Sequence, residues 1–122
     1  MASKILIAED DQFLCKAMTT KLTKEGYEVK IALDGVQLME MLKSYFPNLI
    51  ILDLLMPKKD GFEVIKEVKA DPKLKNIPIL IASNLGQSSD IQQVLALGAT
   101  DYLIKSEFTL ESLVQKIKNI IK

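Results

Sequence analysis

A doubly wound α/β domain is what this 122-residue chain predicts, with a five-stranded parallel sheet in the order 2-1-3-4-5. Three features predict it. Strand-like and helix-like stretches alternate from end to end. The runs Ile5-Leu6-Ile7-Ala8, Leu49-Ile50-Ile51-Leu52 and Ile79-Leu80-Ile81-Ala82 are apolar at every position, as strands buried on both faces are. The stretch 27–32 instead alternates Tyr27, Val29 and Ile31 with Glu28 and Lys30, which marks an edge strand with one wet side.

The elements follow in order. After the first strand, Leu14, Met18 and Leu22 stand at helical spacing over 11–25, with Asp11 to cap the start and Gly26 to end it. Asp34 and Gly35 turn the chain from the edge strand into a second helix carrying Val36, Met39, Leu42 and Phe46, closed by Pro47. The central strand 49–52 leads to a third helix with Phe62, Ile65 and Val68, which stops before Pro72. The strand 79–82 is followed by a short helix carrying Ile91, Val94 and Leu95. Ser88, Ser89 or Asp90 is its expected cap and Gly98 its end. Residues 101–105 form the fifth strand. The last helix, capped by Thr109, shows one apolar face of Leu110, Leu113, Val114, Ile117, Ile120 and Ile121. Right-handed crossovers then place helices on both faces of the sheet, a flavodoxin-like arrangement. With 27–32 at the edge, strands one and three are neighbours and the order reverses between them. Ligands bind at the carboxyl ends of the strands near such a switch point.

Composition narrows the chemistry. Sixteen basic residues balance sixteen acidic ones, so the formal net charge is zero, and nothing favours direct binding of nucleic acid or of an anionic membrane surface. The apolar runs fall far short of the ~20 residues that span a bilayer. Met-Ala-Ser-Lys runs directly into a strand, so no signal peptide is expected and a cytoplasmic location follows. The single cysteine, Cys15, allows no intrachain disulfide, and it reads with the five methionines as core. Histidine is absent, which excludes His-ligated metals, a histidine base and a phosphohistidine donor within the chain. No linker, repeat or low-complexity segment divides residues 1–122, which read as one domain.

Polar chemistry gathers at the carboxyl ends of the apolar runs. Glu9, Asp10 and Asp11 end the first, Asp53 the central one, Ser83 the fourth strand and Lys105 the fifth. Parallel neighbours would bring these ends to one crevice. Glu9, Asp10 and Asp53 there repel one another unless a proton or a cation intervenes. With no histidine nearby and hard oxygen ligands only, Mg²⁺ fits: it takes one or two carboxylates and keeps waters and phosphate oxygens as its other ligands.

Four motifs, spread over the whole chain and in family order, carry a close resemblance. They are Ile5-Leu6-Ile7-Ala8-Glu9-Asp10-Asp11, Leu52-Asp53-Leu54-Leu55-Met56-Pro57-Lys58-Lys59-Asp60-Gly61, Ala82-Ser83-Asn84 and Gly98-Ala99-Thr100-Asp101-Tyr102-Leu103-Ile104-Lys105. The chain resembles the receiver domain of two-component response regulators, in the single-domain form of the chemotaxis regulator. The resemblance implies that Asp53 is the phosphoacceptor, attacking a phosphohistidine of a sensor histidine kinase or histidine phosphotransfer protein. It implies that Asp10, Asp53 and the Leu55 carbonyl bind Mg²⁺, and that Glu9 holds a metal water. Ser83 and Lys105 meet the phosphoryl oxygens, and Tyr102 is the switch aromatic that turns inward behind Ser83. Pro57 and Gly61 shape the loop after Asp53. The implied product is a phosphorelay switch rather than an enzyme. The chain ends with the fifth helix, so its expected output is protein–protein contact around the fourth helix, fifth strand and fifth helix. The expected state is a monomer, with a dimer possible on phosphorylation.

One departure stands out. The family places proline and then phenylalanine after the lysine, whereas here Ser106 replaces the proline and Glu107 precedes Phe108. Two other classes fit less well. A Mg²⁺-dependent phosphatase with an aspartyl-phosphate intermediate wants an acid two residues after its nucleophile, where this chain has Leu55. A flavodoxin-like nucleotide binder wants a Ser/Thr/Gly phosphate loop after strand one, where Glu9-Asp10-Asp11 would repel phosphate.

Overall fold

The computed structural model describes residues 2–85 and 87–121. Five strands, β1 (Lys4–Ala8), β2 (Glu28–Ala32), β3 (Leu49–Leu52), β4 (Ile79–Ser83) and β5 (Asp101–Ile104), form one sheet in the order β2-β1-β3-β4-β5. Every pairing is parallel. The helices between and after them are α1 (Gln12–Lys24), α2 (Gly35–Met41), α3 (Gly61–Ala70), α4 (Ser88–Leu97) and α5 (Leu110–Ile120). The predicted strand order is the observed one. The reason is visible in burial: β3 and β4 are buried at every residue, whereas β2 alternates between exposed and half-buried positions until Ala32.

A strand with side chains on both faces feeds two cores. Leu6, Ile50, Leu52, Ile79 and Ile81 point to one face, against Leu38 of α2, Val64, Ile65 and Val68 of α3, and Val94 of α4. Ile5, Ile7, Leu49, Ile51, Leu80 and Leu103 point to the other, against Met18 and Leu22 of α1 and Leu113, Val114 and Ile117 of α5. Met18 and Leu22 of α1, Ile65 and Val68 of α3, and Leu113, Val114 and Ile117 of α5 are thus stripe residues read from sequence, while Val64 is not among them.

Two local readings need correction. The second helix does not reach Phe46. It ends at Met41 with Leu42 as its C-cap, the amides of Lys43, Ser44 and Tyr45 turn back onto Glu40 and Met41, and Phe46 is left 59% exposed. Pro47 disfavours helical backbone at Phe46 itself. The fourth helix is not capped by Ser88, Ser89 or Asp90. Its N-cap is Gln87, which makes no side-chain cap bond. Those three residues lie inside the first turn, where Asp90 places its charge at the positive end of the helix. The other caps are as expected: Asp11 accepts from the Leu14 amide, and Thr109 and Ser112 form a reciprocal capping box. Gly26 and Gly98 adopt left-handed backbone after α1 and α4.

Candidate functional site

Parallel register delivers the strand ends to one place. The amide of Asp53 donates to the carbonyl of Ala8, that of Glu9 to Ala32, and that of Lys105 to Ser83. Hydrogen bonds of the sheet therefore continue one residue past the strands and fix the backbone on which Glu9, Asp53, Ser83 and Lys105 stand.

The side chains converge as the sequence predicts. Glu9 is 1% exposed, Asp53 5% and Ser83 0%, so three polar residues sit at the floor of the site. Asp10, beside them, is exposed. Glu9, Asp10 and Asp53 each offer a carboxylate oxygen within 4.8 Å of the others. All are hard oxygen donors, and among the described residues this is the group with ligand spacing for a metal ion. The arrangement fits Mg²⁺, one face of whose coordination shell can be carboxylate while the rest stays open to water or phosphate.

Lys105 supplies the counter-charge. Its Nζ lies 2.6 Å from Glu9 Oε1 and 2.8 Å from Asp53 Oδ2. Burial alone would lower the affinity of this amine for its proton, but the hydrogen bonds and charges of Asp53 and Glu9 outweigh it and hold the pKa above the ordinary lysine value. Lys105 is thus a firm cation. The Glu9 pKa is also raised, which for a carboxyl favours the neutral form: burial pushes it up, and the bonds from Lys105 and from the Asp11 amide only partly offset this. Glu9 Oε2 accepts from that amide at 3.0 Å. The Leu55 amide donates to Asp53 Oδ1 at 3.2 Å, so each oxygen of the Asp53 carboxylate already has a partner.

Tyr102 is buried, with 9% of its surface exposed, and its hydroxyl donates to the main-chain carbonyl of Leu85. The ring is therefore in an inward position. Burial pushes its phenol pKa up. Ser83 Oγ accepts from the Leu85 amide at 3.5 Å, so the β4–α4 turn engages Ser83 and Tyr102 through the same residue. This use of Leu85 main chain was not legible in sequence, because a carbonyl carries no residue signature. Cys15, read as core, also does more: its thiol donates to the Glu9 carbonyl at 3.3 Å and braces the acidic segment from below. The departure after Lys105 is absorbed locally. The amides of Glu107 and Phe108 both return to the Ile104 carbonyl, Phe108 reaches the α1/α5 core, and no peptide among the described residues is cis.

Comparison with known proteins agrees with this geometry. The response regulator receiver domain model matches residues 5–118. Response regulator RR06 of Streptococcus pneumoniae is 38% identical over 118 residues, covering 97% of this chain and 52% of that protein. The DNA-binding dual master transcriptional regulator RpaA of Synechocystis is 34% identical, covering 98% of this chain and 49% of its own length. The chain thus spans about half the length of these curated relatives. Among solved structures, the chemotaxis response regulator CheY4 of Vibrio cholerae matches with a TM-score of 0.92 at 29% identity, covering 99% of this chain and 100% of that one. The receiver domain of a Pseudomonas aeruginosa sensor histidine kinase, solved with a magnesium ion in the active-site cleft, matches with a TM-score of 0.89 at 25% identity over 99% of this chain and 98% of that one. A family match over nearly the whole chain, on a sheet whose strand ends converge in this way, makes this chain a response regulator receiver domain, a module of two-component phosphorelay signalling.

Proposed function

We propose that Asp53 accepts a phosphoryl group, with Mg²⁺, from a phosphohistidine on a sensor histidine kinase or a histidine phosphotransfer protein. The acyl phosphate then changes the surface of α4, β5 and α5, and so the binding of a downstream protein. The observation that carries this reading is the Lys105 ammonium held between Glu9 and Asp53, the residue that follows the fully buried strand β3. It supplies a positive charge beside a carboxylate that has room for an anionic group only if that charge is met.

In this reading an Asp53 oxygen forms the new O–P bond as the P–N bond to the donor imidazole breaks, and the bonding pair leaves with that nitrogen. Asp10, Asp53 and the Leu55 carbonyl would hold Mg²⁺, with Glu9 holding one of its waters. When bound, the ion neutralises charge on the phosphoryl oxygens, which is most of what phosphoryl transfer requires of a protein. Lys105, kept protonated by two carboxylates, exchanges the Asp53 oxygen for a phosphoryl oxygen. The Ser83 hydroxyl, which accepts from the Leu85 amide, would donate its proton to the phosphoryl group. Tyr102, joined to the same turn, carries the change outward as the switch aromatic.

Asp53 is modified and later restored by hydrolysis, so the domain acts as a switch on itself. The phosphatase alternative is not favoured: Leu55, at the place of the required second acid, is apolar and 58% exposed. The test is intact-mass measurement after incubation with phosphoramidate and Mg²⁺. One phosphoryl group is expected on the parent, and none on Asp53→Asn or after chelation of the metal. Full labelling of Asp53→Asn would overturn the assignment.

A further inference from the structure

The loop between β3 and α3 carries the Asp53 side chain and the Leu55 carbonyl at one end, and it is closed tightly on itself. The Gly61 amide donates to the Leu54 carbonyl at 3.0 Å, and a Cβ at Gly61 would stand 2.6 Å from the Asp53 carbonyl oxygen. Inside that closure little freedom remains. Pro57 has a fixed φ. Lys58 sits at φ 69°, the non-glycine residue in left-handed backbone among the described residues. The Lys59 amide donates to the Pro57 carbonyl at 2.8 Å, and Asp60 caps α3 through the Glu63 amide.

The far side of this loop rests on the corner between β2 and α2. A Cβ at Gly35 would lie 2.2 Å from the Lys59 carbonyl oxygen and 2.8 Å from Lys59 Cβ. Asp34 caps α2 with one carboxylate oxygen, and the other lies 3.6 Å from Lys58 Nζ. The Asp34-Gly35 pair, which reads in sequence as a turn signal, is thus the surface on which residues 58–59 are seated.

We infer that Gly35 is a positioning residue for the phosphoacceptor: its missing side chain lets the Lys59 carbonyl sit where the loop must lie to hold Asp53 and Leu55 in place. The inference rests on the reading of Asp53 as phosphoacceptor. Ordinary van der Waals contact begins at 3.4 Å, so a methyl group at Gly35 must displace the Lys59 carbonyl or α2 by roughly 1 Å. Pro57, the left-handed Lys58 and the Leu54–Gly61 bond leave the loop no slack to absorb such a shift. It passes to Leu55, whose amide holds Asp53 Oδ1.

The experiment compares Gly35→Ala with Gly26→Ala. Gly26, unlike Gly35, has left-handed backbone, at φ 96°, and nothing lies within 4 Å of its added Cβ, so it reports strain remote from the site. Mg²⁺ affinity and the rate of labelling by phosphoramidate are measured at a temperature where both variants are folded. Gly35→Ala should lower the labelling rate about 10- to 100-fold and weaken Mg²⁺ binding, since misplacement of reacting groups by about 1 Å has effects of that size. Gly26→Ala should lower the melting temperature and leave both readouts at parent values. Equal readouts for the two variants would overturn the positioning role while the phosphoacceptor reading stands. A parent that neither binds Mg²⁺ nor labels would overturn that reading and the inference with it. Should Gly35→Ala fail to fold, the parent decides: on titration with Mg²⁺ the Gly35 amide resonance should shift along the same saturation curve as Leu55 while Gly26 stays fixed. An unmoved Gly35 would sink the inference.

Discussion

Lys105 Nζ and Asp53 Oδ2 meet at 2.8 Å, although 52 residues of chain separate them. The contact joins the ends of two strands that are not neighbours, since β4 lies between β3 and β5. It places a cation on the carboxylate that the proposed chemistry modifies.

Removing that cation should matter most when no metal is present. Lys105→Met leaves two buried carboxylates without their partner, and loss of one member of a buried pair can destabilise by ~3–5 kcal/mol. Because Glu9 can take up a proton, a loss of roughly 1–3 kcal/mol is expected in metal-free urea denaturation. Millimolar Mg²⁺ should return a large part of it, and labelling of Asp53 should slow. Equal denaturation midpoints for parent and variant in chelator would contradict this account.

Mg²⁺ itself should stabilise the parent. A ligand at 100 times its Kd adds about 2.7 kcal/mol to unfolding, a gain that here includes relief of the repulsion among Glu9, Asp10 and Asp53. Asp10→Ala should abolish most of that gain. The metal-free variant can exceed the metal-free parent in stability, since one repelling charge is gone. A melting temperature indifferent to Mg²⁺ would dismiss the ion site.

Cys15 should be chemically silent in the folded protein. Burial, followed by the charges of Glu9 and Asp11, pushes its thiol up to about 11 from an ordinary 9.0. Little thiolate exists at pH 8, so alkylation by iodoacetamide should proceed only as the chain unfolds. The sign of the linkage follows: the unfolded chain releases this proton first. The thiol's contribution to stability is therefore complete below pH 9 and is lost as pH rises toward 11. Rapid alkylation of native protein at pH 8 would refute it.

The phosphorylated state should be long-lived. The resemblance places the residues two beyond Asp53 and two beyond Ser83 beside the path of hydrolytic water, and both are leucine. Leu55 is exposed at the mouth of the site, and Leu85 packs partly against the α3/α4 core. Neither side chain can hydrogen-bond water. Loss of a water-positioning contact of ~1.4–2.8 kcal/mol slows hydrolysis about 10- to 100-fold. Leu55→Asn with Leu85→Glu should accelerate loss of the phosphoryl group in a timed intact-mass assay and leave Mg²⁺ affinity near the parent value. A parent that dephosphorylates within seconds, or a double variant that is no faster, would end this reading.

The sequence by itself determined the sheet and its order, because uniform burial of 49–52 and 79–82 against alternation at 27–32 can be read from side-chain period alone. It also pointed to the meeting of Glu9, Asp10, Asp53 and Lys105, since acidic and lysine side chains at the ends of apolar runs are legible as residue types. Where it failed, the deciding contacts were nonlocal or made by backbone. Phe46 looked like one more residue of an apolar stripe, but the helix ends at Met41 and leaves it exposed. The serines before Ile91 looked like caps, but the N-cap is Gln87, which makes no side-chain cap bond. Only the tertiary structure decided that Lys105 pairs with Glu9 as well as Asp53, that Tyr102 points inward to a carbonyl, and that Gly35 supports Lys59. Each of these depends on distances of a few ångströms between segments far apart in the chain. Residue type and local period set which faces are buried, whereas such distances follow only once the two cores have packed and the strand ends are held in register.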